Sequence, residues 1–330
     1  MASRILHIIN RQFLALPPTK THKMLVQSLR NQSWLRPPIK HPTNYKVVVP
    51  GNVSEQVPPT KFLHPVPLPP YALSGIPPTI NEEGQPDIKS KDEIERMRNA
   101  CRLARKILIE AGDTLRVGMT TDEIDQLIFD LSLAHNAYPS PLNYRGFPKS
   151  VCTSVNNVVC HGIPDDRPLA DGDILNIDVT VYLDGVHGDC SKTFLVGDVD
   201  DAGKRLVAIT EECLQIGIQL CKPGSAFSDI GDAVYTHASK AGFNVVGAFT
   251  GHGIGTYFHG PPDIYHIPNN YPGKMMPGMT FTVEPAISEG SDRIIILEDG
   301  WTAVTTDNSR CAQCEHTVLI TEDGVEILTK

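Results

Sequence analysis

The sequence predicts an α+β fold built from two similar halves that contribute carboxylates to a shared centre. Two pairs of glycines indicate the duplication. Gly118 and Gly224 each precede an isoleucine by six residues, while Gly172 and Gly278 each precede a carboxylate by six. The members of each pair are 106 residues apart. Because the same offset occurs at two places, we expect two halves related by a pseudo-two-fold axis.

Four amphipathic helices are expected, two in each half. The first begins with the capping box Ser-Lys-Asp-Glu, continues with apolar residues at intervals of three and four, and stops at Gly112. The second begins with Thr120, followed three residues later by Glu123. The expected helices cover residues 90–112, 120–131, 206–220 and 228–242.

A β-hairpin is expected around the Asp-Gly pair at residues 184–185, which is a strong two-residue turn signal. That turn places Thr180 opposite Asp189. Because side chains alternate along a strand, Asp178 and Asp189 then become diagonal neighbours on one face, roughly 5–8 Å apart at Cβ. A bridging cation would explain two carboxylates at this distance. The alternative is a solvated hairpin with its acids turned outward.

Five residues of metal-ligand type follow in order, each at the end of a strand-like or glycine-rich segment. They are Asp178, Asp189, His252, Glu284 and Glu315. Four carboxylates in apolar surroundings are costly unless a cation holds them together. Four carboxylates and one imidazole suit two adjacent divalent ions of the hydrolytic kind. A single histidine is more often structural, but His252 stands among glycines and four candidate acids.

Composition excludes several classes of protein. The net charge is −9, and residues 55–330 alone carry −17, so a nucleic-acid surface is not expected. No apolar run approaches the ~18–20 residues of a membrane span. All eight cysteines lie at or after Cys101 and are unevenly spaced, which favours reduced thiols. The Cys-x-x-Cys at 311–314 is weak evidence for zinc.

The N-terminal region is expected to be separate from the folded unit. Residues 1–54 contain eight Lys or Arg and no acid, which is typical of an organellar presequence. Mitochondrial import, to the matrix, is the main expectation, with chloroplast or cytoplasm as alternatives. Residues 37–79 hold 12 of the 27 prolines, so residues 55–88 are interpreted as an extended linker. The catalytic domain is expected to cover 89–330.

Several separated motifs resemble those of the type I methionine aminopeptidases of peptidase family M24, over about residues 90–328. The motifs are Cys-His-Gly-Ile-Pro at 160–164, Asn-Ile-Asp-Val-Thr at 176–180, His-Gly-Asp at 187–189, Gly-His-Gly-Ile-Gly at 251–255, Phe-His at 258–259, Phe-Thr-Val-Glu-Pro at 281–285, Asp-Gly-Trp at 299–301 and Glu-His-Thr at 315–317. The resemblance implies the pita-bread fold, with a central curved antiparallel sheet flanked by helices. It also implies removal of the initiator methionine from nascent or organellar proteins when the second residue is small.

The resemblance also implies a role for each matching residue. The five ligand-type residues would hold two divalent ions, with Asp189 and Glu315 contacting both. The ions would activate water for peptide hydrolysis, and their identity (cobalt, manganese, iron or zinc) is not fixed by the sequence. His161 would contact the scissile amide, His259 would steady the carbonyl oxygen, and Glu284 would transfer protons. The methionine pocket would be lined by Tyr144, Phe147, Cys152, Phe258 and Trp301.

The chain departs from the family pattern in ways that narrow the subclass. Gly260 follows His259, where bacterial members usually carry glutamate, and Cys314 precedes the last ligand instead of an aromatic residue. No cysteine-rich module precedes the catalytic region, and only 24 residues separate His259 from Glu284, so the type II insertion is absent. An organellar enzyme is therefore expected, monomeric, close to the ribosome, with no membrane insertion. The alternatives are an X-Pro peptidase of the same fold and a catalytically dead binding protein.

Overall fold

A computed structural model describes residues 45–56, 58–62, 66–80 and 87–330, which form four α-helices and fifteen strands. The expected presequence falls largely on residues 1–44, outside the described residues, and stays a prediction. The helices are α1 (Lys91–Asp113), α2 (Thr121–Ala134), α3 (Asp201–Gln219) and α4 (Ser228–Lys240). Two short 3-10 turns occur at Pro59–Lys61 and Tyr144–Gly146.

The helix starts follow from local side-chain capping. Ser90 and Glu93 form a reciprocal capping box at the start of α1, and Thr120 and Glu123 form another at the start of α2. The expected stop at Gly112 is wrong by one residue, since α1 continues to Asp113. Gly112 lies inside the last turn, and its lack of a side chain leaves room for the ring of Phe194, since a Cβ there would lie 2.1 Å from Phe194 Cε1.

The central sheet is antiparallel and carries most of the candidate site. The strands are β1 (Tyr138–Pro139), β2 (Cys152–Val155), β3 (Val158–Cys160), β4 (Ile174–Leu183), β5 (Val186–Leu195), β6 (Asn244–Val245), β7 (Gly251–Gly253), β8 (Gly260–Ile264), β9 (Thr280–Val283), β10 (Ala286–Ser288), β11 (Ile294–Ile296), β12 (Ala303–Thr305), β13 (Cys311–Gln313), β14 (Glu315–Ile320) and β15 (Val325–Ile327). The nine strands of the central sheet include the path β1-β4-β5-β14-β9-β7-β8, with β2 paired to β4 and β15 paired to β14. Two three-stranded sheets have the orders β13-β10-β6 and β11-β12-β3.

The internal repeat is visible in the backbone. Gly118, Gly224, Gly172 and Gly278 all adopt positive φ, between 84° and 90°, a region that glycine enters without steric cost. Isolated bridges join residues 120 and 168 in the first half and 226 and 274 in the second, again at the 106-residue offset. The expected pseudo-two-fold duplication is confirmed.

Each half buries its helices against its own part of the sheet. In the first half, Ile107 of α1 and Ile128 of α2 are buried in one apolar cluster with Val179 of β4. In the second half, Leu206 of α3 is buried in a corresponding cluster with Phe281 of β9. The helices thus cover one side of the sheet, and the site residues come from strands β4, β5, β7, β9 and β14 or directly follow them. The α+β prediction is confirmed.

The described residues 45–56 of the proline-rich region contact the body. The backbone N–H of Val48 donates to Asn157 Oδ1 at 2.7 Å, and that of Gly51 donates to Asp165 Oδ2 at 2.6 Å. Further along, Gln56 Nε2 donates to Ser150 at 2.7 Å. Residues 45–56 therefore lie against the catalytic region, including part of the range expected to be presequence.

All eight cysteines are buried free thiols, as the uneven cysteine spacing predicts. Among the described residues, no helix combines the length and apolar character needed to cross a bilayer.

Candidate metal centre and substrate pocket

The hairpin β4–β5 has the predicted register. Thr180 pairs with Asp189 across the hairpin, and Asp178 pairs with Ser191. Thr180 Oγ1 donates to Asp189 Oδ1 at 2.7 Å. Asp178 and Asp189 therefore share a face of the hairpin, and that face is turned into the protein, so the alternative of a solvated hairpin face is wrong. Asp189 is only 3% exposed.

His252 and Glu284 come from the second half of the fold. His252 lies on the short strand β7, where glycines on both sides permit close backbone packing: a Cβ at Gly253 would lie 1.9 Å from Pro261 O, and one at Gly251 would lie 2.3 Å from Thr282 O. Glu284 directly follows β9. The glycines that flank the histidine thus let β7 fit between its neighbours.

The five predicted ligands converge from both halves. Asp189, His252 and Glu315 are buried and each offers a ligand atom, all within 4.8 Å of one another. Glu284 joins them, since its Oε1 lies 3.7 Å from His252 Nε2. Asp178 lies beside Asp189 on the same face of the hairpin. These residues, which are far apart in the sequence, therefore lie together in one cluster.

Several neighbours that support the cluster were not predicted from the sequence. Thr282 Oγ1 donates to Glu284 Oε1 at 2.9 Å, and Gln313 Nε2 donates to Glu284 Oε2 at 3.2 Å. The backbone N–H of Glu284 donates to His266 Nε2 at 3.0 Å. Thr282 and Gln313 each stand two residues before a candidate acid, so strand alternation was the signal that could have found them.

Without a cation, burial and mutual repulsion disfavour the charged form of the carboxyls in this cluster. Burial raises the pKa of Asp178 to about 7 and that of Glu284 to about 8. Burial also raises the pKa of Asp189 and Glu315 well above the usual range, and repulsion between the acids adds to it. Burial lowers the pKa of His252 to about 4, which leaves a neutral imidazole available as a ligand. The group would carry its full negative charge only with a cation present.

Two carboxylate oxygens of the cluster, Asp178 Oδ1 and Glu315 Oε1, are buried and have no hydrogen-bond partner among the described residues. Buried polar atoms nearly always have a partner, so each such atom requires an explanation. Oxygen and imidazole nitrogen together are suitable donors for divalent transition ions. The side chains present therefore fit a metal centre, and bound metal would satisfy both oxygens.

The two other predicted histidines border this cluster without belonging to its ligand trio. The His259 ring centroid lies 4.2 Å from that of His252. His161 adopts a positive φ of 56° after β3, and its ring meets Phe249 and Trp301 edge-on at 5.2 and 6.2 Å. Burial lowers the pKa of His161 to about 4, so this imidazole is neutral at ordinary pH.

The predicted pocket residues form two ring clusters beside the acids. Tyr144 lies 4.9 Å from Phe258, while Phe147 meets Trp301 edge-on at 5.2 Å. No ring pair within the described part of the chain joins one cluster to the other. Cys152 pairs with Asp178 across strands β2 and β4, which places its thiol next to the acids.

Comparisons with known proteins agree with this geometry. The family model described as metallopeptidase family M24 matches residues 95–322. The human protein named mitochondrial methionine aminopeptidase 1D is 52% identical over 291 residues, covering 87% of this chain and 84% of its own length. A chloroplastic methionine aminopeptidase 1B of Arabidopsis thaliana is 53% identical, covering 80% and 71%. The crystal structure of methionine aminopeptidase from Rickettsia prowazekii aligns with a TM-score of 0.73 and 46% identity, over 74% of this chain and all of that one.

Proposed function

This chain belongs to metallopeptidase family M24, and we propose that its cluster of four acids and one histidine holds two divalent metal ions. It is a metal-dependent methionine aminopeptidase, which removes the initiator methionine from polypeptides. The single observation that carries this function is the convergence of Asp189, His252 and Glu315 from separate strands, with their ligand atoms within 4.8 Å of one another.

The assignment of ligands follows the contacts. We group Asp178 with Asp189, its neighbour on the hairpin face, and Glu284 with His252, whose Nε2 lies 3.7 Å from Glu284 Oε1. Asp189 and Glu315, both buried among the other acids, would complete the set of residues that hold the ions. Cobalt, manganese, iron and zinc all suit such donors, and the donor set does not select one of them.

Several residues around the cluster have separate roles in the reaction. When bound, the ions supply a Lewis acid for the scissile carbonyl and a water of lowered pKa. Glu284 takes a proton from the attacking water and gives it to the leaving amine, with its carboxylate held in place by Thr282 and Gln313. His259 donates to the carbonyl oxygen as negative charge develops there. His161 contacts the scissile amide.

The methionine side chain of the substrate is accommodated by the aromatic rings and the thiol. Aromatic carbon and sulfur form a soft apolar surface suited to a thioether. The pocket is lined by Tyr144, Phe147, Cys152, Phe258 and Trp301. From the resemblance to type I methionine aminopeptidases, we propose that substrates have a small second residue such as alanine, serine or glycine.

The enzyme acts in an organelle on the N-terminal methionine of polypeptides. We assign it to the mitochondrial matrix, because residues 1–54 are basic and free of acids. It works as a monomer near the ribosome, where new N-termini emerge.

A comparison of substrates tests this function against the alternatives. The full-length protein loaded with manganese or cobalt should release methionine from Met-Ala-Ser and leave Gly-Pro uncut. An X-Pro peptidase would cut Gly-Pro instead, and a binding protein would cut neither. Met-Leu-Ser is the control for the second position and should be a poor substrate.

A further inference from the structure

Residues 66–75, within the segment predicted to be a linker, contribute Val66, Tyr71 and Ala72 to the core. Tyr71 is 2% exposed and Ala72 is fully buried. Both belong to the apolar cluster that contains the pocket residues Tyr144 and Phe258. A linker that only connects two regions would not bury a large aromatic residue, so this segment has a structural partner in the body.

Hydrogen bonds fasten the segment to the loop that carries Tyr144. The Tyr71 hydroxyl donates to Ser140 O at 2.7 Å, and Asn143 Nδ2 donates to Ala72 O at 2.9 Å. Asn143 directly precedes Tyr144 in the chain, and Ser140 lies four residues before it. The segment is therefore attached to that loop at two points, close to the residue that lines the pocket.

The Tyr71 ring contacts one pocket residue directly and a second one through His187. It meets the ring of Tyr144 edge-on, with centroids 4.9 Å apart and planes at 82°. On another side it stacks on His187 at 6.2 Å and 14°, and His187 in turn stacks on Phe258 at 5.3 Å and 11°. Ser140 Oγ lies 2.9 Å from His187 Nδ1, which fixes the middle ring of this stack.

We propose that Tyr71 is a positioning residue for the methionine pocket, acting on Tyr144 directly and on Phe258 through His187. The inference rests on the proposed function, since it takes Tyr144 and Phe258 as walls of that pocket. Tyr71 packs against Tyr144 and against His187, which stacks on Phe258. A void at Tyr71 would remove contact atoms from one side of Tyr144 and of His187. The catalytic unit accordingly begins before residue 66 rather than at 89.

Loss of the Tyr71 ring should affect only the recognition of the first residue of the substrate. Tyr71 touches no member of the acid cluster in its described contacts, so metal binding and proton transfer do not depend on it. A loosened pocket binds methionine less tightly and discriminates less well against other apolar side chains. Binding and selectivity should therefore change while the chemical step is retained.

The test uses the full chain with Tyr71→Ala, Tyr71→Leu and Tyr71→Phe, assayed on Met-Ala-Ser and Leu-Ala-Ser. Tyr71→Ala should raise KM for Met-Ala-Ser about fivefold, the effect of losing aromatic contacts, and reduce the preference for methionine. Metal content and kcat should stay within about twofold of wild type. Tyr71→Phe keeps both ring contacts and should keep the wild-type KM. Tyr71→Leu provides the same test should the alanine variant fail to fold.

Ile218→Ala is the matched control, because Ile218 is buried in the core of the other half, away from the pocket. It should lower Tm and leave KM and the methionine preference unchanged. Wild-type KM and preference in Tyr71→Ala or Tyr71→Leu would overturn the inference, as would an equal KM change in Ile218→Ala. Failure of the wild type to cleave Met-Ala-Ser would instead overturn the proposed function.

Discussion

Asp189 Oδ2 lies 3.7 Å from His252 Nε2, although the two residues come from opposite halves of the duplicated fold. This distance is too long for a hydrogen bond. Glu284 Oε1 lies at the same 3.7 Å from the imidazole nitrogen. Three ligand-type atoms thus face one another without satisfying one another directly. A shared cation between them accounts for that arrangement.

Removal of a ligand should abolish both metal binding and activity. Asp178→Asn and His252→Ala each remove one donor and leave the neighbouring acids without compensation. We expect loss of metal by elemental analysis and no detectable methionine release. Asp130→Asn, on the outer face of α2, is the control and should behave as wild type. Activity of either ligand variant in metal-depleted buffer would contradict the assignment.

The metal-free protein should lose stability as pH rises. Burial raises the folded-state pKa of Asp178 to about 7 and of Glu284 to about 8, above their values in the unfolded chain. At these two sites the folded state therefore binds more protons than the unfolded chain. Their contribution to stability is fully present below about pH 4 and declines as pH rises toward 7–8. Tm of protein treated with EDTA should be lower at pH 8 than at pH 5.5.

Added manganese should reverse that trend, because the cation replaces the protons that neutralise the acids. The rise in Tm on adding manganese should be larger at pH 8 than at pH 5.5. Asp178→Asn should show a weaker pH dependence of Tm without metal. An equal effect of manganese at both pH values would show that these carboxyls do not form the binding site.

His161 and His259 should affect catalysis without affecting metal. Replacing either by alanine removes a donor near the scissile bond and should lower kcat by ~10²–10⁴. Metal stoichiometry should remain that of wild type. His237→Ala, on α4, is the control and should keep full activity. Metal loss from His161→Ala or His259→Ala would show that the histidine is a ligand instead.

Residues 1–60 should direct import into mitochondria. Their first 54 residues carry eight basic residues and no acid, which matches the composition of organellar import signals. A fluorescent reporter fused to residues 1–60 should colocalise with mitochondria in cells. The control is the same fusion with Arg4 and Arg11 changed to glutamate, which should stay in the cytosol. Cytosolic signal from the unaltered fusion would overturn this localisation.

The same N-terminal region should be dispensable for the reaction. A chain that begins at residue 60 keeps Tyr71 and should cleave methionine before alanine, serine or glycine. It loses the contacts of residues 45–56 with the body, so a lower Tm is expected while kcat is retained. Efficient removal of methionine before leucine or lysine would contradict the proposed specificity.

Local signals in the sequence predicted much of the fold and the composition of the site. The Asp-Gly turn gave the correct pairing of Thr180 with Asp189, because hairpin register follows from turn type. The capping boxes gave the starts of α1 and α2, because each box forms between residues only three positions apart. Glycine spacing revealed the duplication, since each glycine occupies a backbone conformation that other residues resist.

Features that depend on distant contacts were not predictable in this way. Prolines indicated an extended segment, but nothing local shows that Tyr71 is buried against the loop of Ser140. Likewise, the stack of His187 between two rings depends on three separate parts of the chain. Such contacts become visible only when the whole fold is assembled.

The central claim is that two metal ions in this cluster drive removal of N-terminal methionine. The most direct test is to add manganese stepwise to metal-free protein and to measure bound metal and methionine release from Met-Ala-Ser in the same samples. We expect no turnover without metal and a plateau when two ions are bound per chain. Turnover without metal, or no turnover at any occupancy, would contradict the account.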